Sequence, residues 1–156
     1  MRESMAALGA SFYDERQVHS AVEHIAVVDP QLIDDGTYFV VDDGMEIVGC
    51  GGWSRRAKLF TGTGSSDARP LDPDSEPARV RAMFVRPSYA RRGVGRMILE
   101  ACEDAAREAR FRNVELMATL PGEPLYAACG YAATERVEIV LPDGVRLECA
   151  KMEKAL

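Results

Sequence analysis

What most constrains this chain lies between Arg79 and Arg110. An aliphatic and aromatic run, Arg79-Val-Arg-Ala-Met-Phe-Val85, leads into the turn Arg86-Pro-Ser-Tyr-Ala-Arg-Arg-Gly-Val-Gly95. From Arg96 onward the apolar residues fall at helical spacing, with Val94, Ile98, Ala101, Cys102, Ala105 and Ala109 on one stripe. The segment therefore reads strand, glycine-rich turn, helix. The helix's first N–H groups have no internal partners, and its dipole adds partial positive charge there. Gly93 and Gly95 carry no Cβ, so another molecule can come close to the backbone. Arg86, Arg91, Arg92 and Arg96 add full charges to what would be a cradle for phosphate groups.

Two nucleotide motifs are excluded by residue. A dinucleotide fingerprint needs a third glycine where Ile98 stands, and a P-loop needs Gly-Lys-Ser/Thr where the chain has Gly95-Arg96-Met97. The remaining pattern, Arg-Arg-Gly-x-Gly after a strand ending Val-Arg-Pro, resembles the acyl-CoA pyrophosphate loop of the GNAT superfamily of N-acetyltransferases. That loop usually reads Gln/Arg-x-x-Gly-x-Gly/Ala, and Ala90 departs from its first position. Taken alone, the glycine spacing also suits an ordinary βα turn with solvated arginines.

A second motif lies downstream. Asn113 to Thr119 reads as a strand parallel to 79–85, because a helix joins them. In Leu120-Pro-Gly-Glu-Pro-Leu-Tyr-Ala-Ala-Cys-Gly-Tyr131, Pro124 suits a helix's first turn and Gly130 its C-terminal cap. The pair Leu125-Tyr126, three residues, then Gly130-Tyr131 is similar to the family's second signature, with Leu125 in place of phenylalanine and Thr119 where asparagine is frequent. Together the matches span residues 79–131, taken here as an acetyl-CoA-binding core.

The rest of the chain fits around that core. Its 156 residues suit one domain. The segment 1–33 reads as helical: an Ala-rich turn, then a helix started by Asp14 with Gln17 as capping-box partner. The family normally begins with a strand; none is visible, so the chain would start late or lack that edge strand. Thr37–Val41 and Met45–Trp53 form a hairpin about Asp42-Asp-Gly44. Gly49, Gly51 and Gly52 imply a bulge or a close approach by another chain or ligand. Residues 55–77 form a long Gly/Ser/Asp/Pro-rich loop, read as a mobile border of the acceptor pocket. Glu135–Leu141 and Val145–Met152 around Asp143-Gly144 give a closing hairpin.

Charge is uneven. The chain carries −6 overall, yet residues 79–112 hold nine of the 19 Lys+Arg and four acids, a local +5. That implies a local anionic ligand rather than nucleic acid, which needs a broad basic face. The acidic remainder would suit a cationic amine or is simply solvated surface. Apolar runs are too short to span a membrane. Four scattered cysteines without a C-x-x-C pair fit free thiols in a reducing cytoplasm and no metal site.

The resemblance implies a mixed α/β fold (α+β): a mostly antiparallel sheet with one splayed parallel pair, flanked by helices. It implies acetyl-CoA as co-substrate and transfer of its acetyl group to a primary amine of a small molecule or peptide. Met83, Phe84 and Val85 would bind the pantetheine arm, Arg91, Arg92, Gly93, Val94, Gly95 and Arg96 the pyrophosphate, with Thr119 nearby. A backbone N–H near Phe84 or Val85 would hold the oxyanion, and Tyr126 would be the general acid for the thiolate. Trp53 is read as lining an acceptor pocket or packing in the core. For the base, Glu115, His24 or an ordered water with a loop carboxylate are candidates, water being the default and His19 an alternative; Arg79 and Arg81 are taken as cofactor-side or solvated. A non-catalytic acyl-CoA-binding or sensory module, a cofactor-free adaptor and a homodimer through an exposed edge strand all stay open.

Overall fold

The computed structural model describes residues 1–60 and 69–156. Three helices come first: α1 (Arg2–Gly9), α2 (Glu15–His24) and α3 (Pro30–Asp34). The Asp14–Gln17 capping box starts α2 as expected, with the Gln17 N–H donating to Asp14 Oδ1 at 2.8 Å. The helix ends at His24. Pro30 opens α3 behind the cap Asp29. No strand precedes α1 among the described residues.

The sheet holds β1 (Tyr38–Asp42), β2 (Ile47–Ser54), β3 (Ala78–Val85), β4 (Asn113–Thr119), β5 (Ala132–Val140) and β6 (Arg146–Ala155). Their order is β1-β2-β3-β4-β6-β5. Every pairing is antiparallel except β3 with β4, the pair joined by α4 (Val94–Glu108). The fold class and the parallel pair are those the sequence implied. A short α5 (Glu123–Ala128) follows β4.

The sheet separates two cores. On one face α4 and α5 pack Ile98, Leu99, Cys102, Ala106 and Tyr126 against Val80, Val114, Leu116 and Met152. On the other, Met5, Tyr13 and Ala21 of the N-terminal part meet Phe84, Leu147 and Cys149. The buried stripe of α4 is rotated from the one expected: Leu99 and Ala106 are inside, while Ala101, Ala105 and Ala109 are half-buried. Glu103 on the same helix is buried and pairs with Lys154 at 2.7 Å.

The glycines of β2 have a packing role. A Cβ on Gly49 would lie 2.6 Å from Val94 Cγ1, and one on Gly51 2.8 Å from Ile98 Cγ2. The close approach is therefore made by the protein's own chain, by α4 at Gly49, by α4 and Met83 at Gly51 and by Leu32 and Thr37 at Gly52, not by a ligand. The expected bulge is also present, since the β2–β3 register shifts between Cys50 and Gly52. Just past the end of α4, Arg110 sits at φ 70°, the left-handed position that glycine normally fills.

Candidate active site

The parallel pair is bonded only over Ala78–Val80 against Val114–Leu116. Beyond Leu116, β4 continues on β6 alone, and β3 turns away. The cause is local. Opposite the β2 register shift, Ala82 adopts φ 56°, a left-handed conformation inside a strand. That bulge bends β3 and opens a cleft at the C-terminal ends of the two parallel strands, the end of a sheet at which ligands commonly bind.

The cleft is lined by β3 from Val80 to Phe84, by Met117 and Thr119 of β4, and by Tyr126 of α5. Met83, Phe84, Thr119 and Tyr126 are thus brought together as expected. The Arg86 N–H donates to Val48 O at 2.8 Å. Strand alternation then directs the Phe84 N–H toward β2 and the Val85 N–H toward the open edge. Of the two backbone donors considered for an oxyanion, Val85 is the one the geometry favours.

Val85 leads through a 3-10 turn at Pro87–Tyr89 to α4. Arg91 and Gly93 both have left-handed φ, at 63° and 86°. Gly93 is the N-cap, without a side-chain cap, and the first bond of α4 is Met97 N–H to Gly93 O at 2.9 Å. The N–H groups of Val94, Gly95 and Arg96 precede that bond. No acid lies in the first turn. Nothing approaches within 4 Å of the Cβ position of Gly93, so this face is open. Gly95 differs: a Cβ there would lie 2.8 Å from Leu125 Cδ2. Its lack of a side chain admits α5, which corrects the expectation that both glycines make room for a ligand.

The arginines divide in two. Arg86 pairs with Glu46, Arg107 with Glu103 and Asp104, and Arg112 with Asp74. Arg79 pairs with Glu115 at 2.5 Å, and Arg81 with Asp29 at 2.9 Å, both largely buried. Both are buried ion pairs, which corrects the solvated reading. By contrast Arg91, Arg92 and Arg96 form no ion pair with any described residue. Arg92 lies over the Tyr89 ring and Arg96 donates to Ala128 O. Uncompensated positive charge is therefore concentrated at the start of α4.

Tyr126 is buried against Tyr131, ring centroids 5.9 Å apart at 63°. Among the described residues nothing hydrogen-bonds its hydroxyl. Burial raises its pKa, so the proton stays on through neutral pH and above. Trp53 takes the other reading open to it. It lies in the core, edge-on to Phe111 at 6.1 Å and away from the cleft lining. Glu115 is unsuited as a base, because Arg79 and Lys151 occupy its two oxygens at 2.5 and 2.8 Å. His24 faces Asp143 at 3.7 Å, and neither His19 nor His24 lines the cleft.

Sequence reasoning missed the opposite wall. Met5 of α1, Ile25 after α2, and Leu59 and Phe60 after β2 close the cleft on the α1–α2 face. Leu59 and Phe60 of the 55–77 loop thus border the cleft, and Arg56 in the same loop bridges to Pro70. Residues 61–68 of that loop lie outside the described residues.

Residues 34–133 match the family model described as an acetyltransferase (GNAT) domain. The chain belongs to the GNAT acetyltransferase family. Solved GNAT structures share its fold. A GCN5-related N-acetyltransferase from Rhodopseudomonas palustris aligns with a TM-score of 0.75 at 21% identity, covering 99% of this chain and 84% of that one. A ribosomal-protein-alanine N-acetyltransferase from Brucella melitensis aligns at 0.63 and 19% identity, covering 97% and 96%. The PaiA N-acetyltransferase from Thermoplasma acidophilum, solved with coenzyme A, aligns at 0.65 and 12%, covering 99% and 87%. No curated protein sequence matches the chain. Among the described residues, no helix is long and apolar enough to cross a membrane, and no cluster could hold a metal ion.

Proposed function

We propose that this GNAT protein moves the acetyl group of acetyl-CoA to a primary amine by direct attack. The observation that carries this is the coincidence, at one end of the sheet, of three features: an uncapped, charge-rich helix start, a splayed strand pair and a tyrosine hydroxyl with no described partner. Together they fit a long thioester carrier with a diphosphate. The N–H groups of Val94, Gly95 and Arg96, with Arg91 and Arg92, would hold the diphosphate. The exposed edge of Met83 to Val85 would pair with the amide-bearing arm, with Thr119 across the cleft.

In the reaction, the amine nitrogen attacks the thioester carbonyl, the carbon–sulfur bond breaks, and an amide and a free thiol result. The Val85 N–H faces the developing oxyanion. The Tyr126 hydroxyl gives its proton to the leaving sulfur, which its raised pKa permits at neutral pH. The proton lost by the amine leaves to water, since no described carboxylate or histidine lines the cleft. Residues 1–156 would act as one unit, with 79–131 as its cofactor-binding core. The four free thiols suit a reducing cytoplasm, and the open edge strands β1 and β5 leave room for a homodimer.

The test is free-thiol release from acetyl-CoA with a panel of amines, for wild type and Tyr126→Phe. Amine-dependent release that falls in the variant supports the reading. Tight acetyl-CoA binding without release for any amine would instead favour the binding-module alternative.

A further inference from the structure

We infer that the acceptor is a primary amine on an apolar, uncharged body, taken up in its neutral form; this rests on the acetyl-transfer reading above. Four side chains from three separate segments form the wall opposite the bulged strand: Met5, Ile25, Leu59 and Phe60. Met117 continues the same surface. None of the five bears a charge.

The polar side chains on the lining are Arg81, Thr119 and Tyr126. Thr119 and Tyr126 belong to the reaction end. Arg81 is fully engaged: Nε donates to Asp29 Oδ2 at 2.9 Å, Nη1 to Lys58 O at 2.5 Å and Nη2 to Gln31 Oε1 at 3.1 Å. Among the described residues, then, the lining offers no carboxylate to an incoming ammonium group. A charged amine would shed its water against apolar side chains, with no described carboxylate on the lining to receive it, an arrangement that strongly favours the neutral form. No base lines the cleft among the described residues, and an amine that arrives neutral needs no group to prepare it for attack.

The same contacts explain why the wall stands where it does. Arg81, one residue before the bulge, holds the backbone of Lys58 and thereby the start of the Leu59–Phe60 wall. Arg81 is a positioning residue here. It ties the acceptor wall to the strand that carries the reacting carbon.

The experiment compares kcat/KM for 2-phenylethylamine and phenylalaninamide with that for spermidine, by thiol release, on wild type and Phe60→Asp. Wild type should prefer the aromatic amines by about tenfold or more, the usual worth of an apolar subsite. Its kcat/KM for phenylalaninamide should rise with pH in step with the neutral fraction of that amine. Phe60→Asp should narrow the preference at least about fivefold, with acetyl-CoA affinity, read by calorimetry, within about twofold of wild type. Phe60→Leu should keep the preference and shows that any loss in the aspartate variant is not misfolding. Spermidine used as well as the aromatic amines, or a ratio unmoved by Phe60→Asp, would overturn the inference while leaving acetyl transfer intact. Absence of thiol release with every amine would overturn the transfer reading and this inference with it.

Discussion

The two ends of the cleft are built in opposite ways. The proposed cofactor end comes from one continuous stretch, Val85 to Arg96, and offers backbone N–H groups and exposed arginines. The proposed acceptor end comes from α1, the end of α2 and the segment after β2, and offers buried or half-buried apolar side chains. A diphosphate can be held by one short piece of chain, because a helix start supplies several donors at once. An apolar pocket cannot, because burial needs walls on several sides.

That contrast can be broken most sharply at the point where the ends meet. Tyr126→Phe should lower kcat by about 10²-fold or more, the usual worth of a positioned acid. Acetyl-CoA affinity should barely change, and so should the melting temperature, because no described group bonds that hydroxyl. Thiol-release kinetics and calorimetry separate the two quantities. A variant as active as wild type, with chemistry limiting, would leave Tyr126 as core packing.

Arg81→Met tests the acceptor end. Asp29 is 1% exposed, and removing the charge that Arg81 places beside it should cost about 3–5 kcal/mol of stability by denaturant unfolding. Arg81→Lys should lose less, and it should raise the amine KM more than the acetyl-CoA KM. Equal effects on both would mean that the two ends are not separable.

The cofactor end should respond to charge and backbone, with smaller effects. Replacing Arg91 and Arg92 together with alanine should weaken acetyl-CoA binding about tenfold at low salt, and less at high salt, where exposed charges are screened. Gly93→Val should cost about 1–2 kcal/mol, because its left-handed φ, not crowding, is what excludes a side chain.

The smallest effect concerns pH. Tyr126 has a raised pKa, so its acid form persists as pH climbs through the ordinary tyrosine range near ~10. The alkaline fall in kcat should therefore lie above that range. A fall at or below it would contradict a buried acid.

The same contrast decides what the sequence could reveal. Gly93, the arginines and the Tyr126–Gly130 spacing are local patterns, so the open helix start and the order of strand, helix and strand were legible. The capping box at Asp14 was legible for the same reason. The role of Gly95 was not, because its contact is with Leu125, thirty residues away. Nor was the pairing of Arg81 with Asp29, which joins a strand to a distant helix cap. Trp53 had two readings that only its contact with Phe111 could separate. Met5, Ile25, Leu59 and Phe60 share no motif. The one available hint was that the long 55–77 loop, uncommon in a small domain, had to border something.

The central claim is that the start of α4 grips a diphosphate. Calorimetric titration of the wild-type protein with acetyl-CoA and with acetyl-pantetheine, which lacks the nucleotide and diphosphate, tests it most directly. The account predicts that acetyl-CoA binds at least about tenfold more tightly, and that losing Arg91 and Arg92 removes most of that advantage. Equal affinity for the two thioesters, or no binding of either, would contradict it.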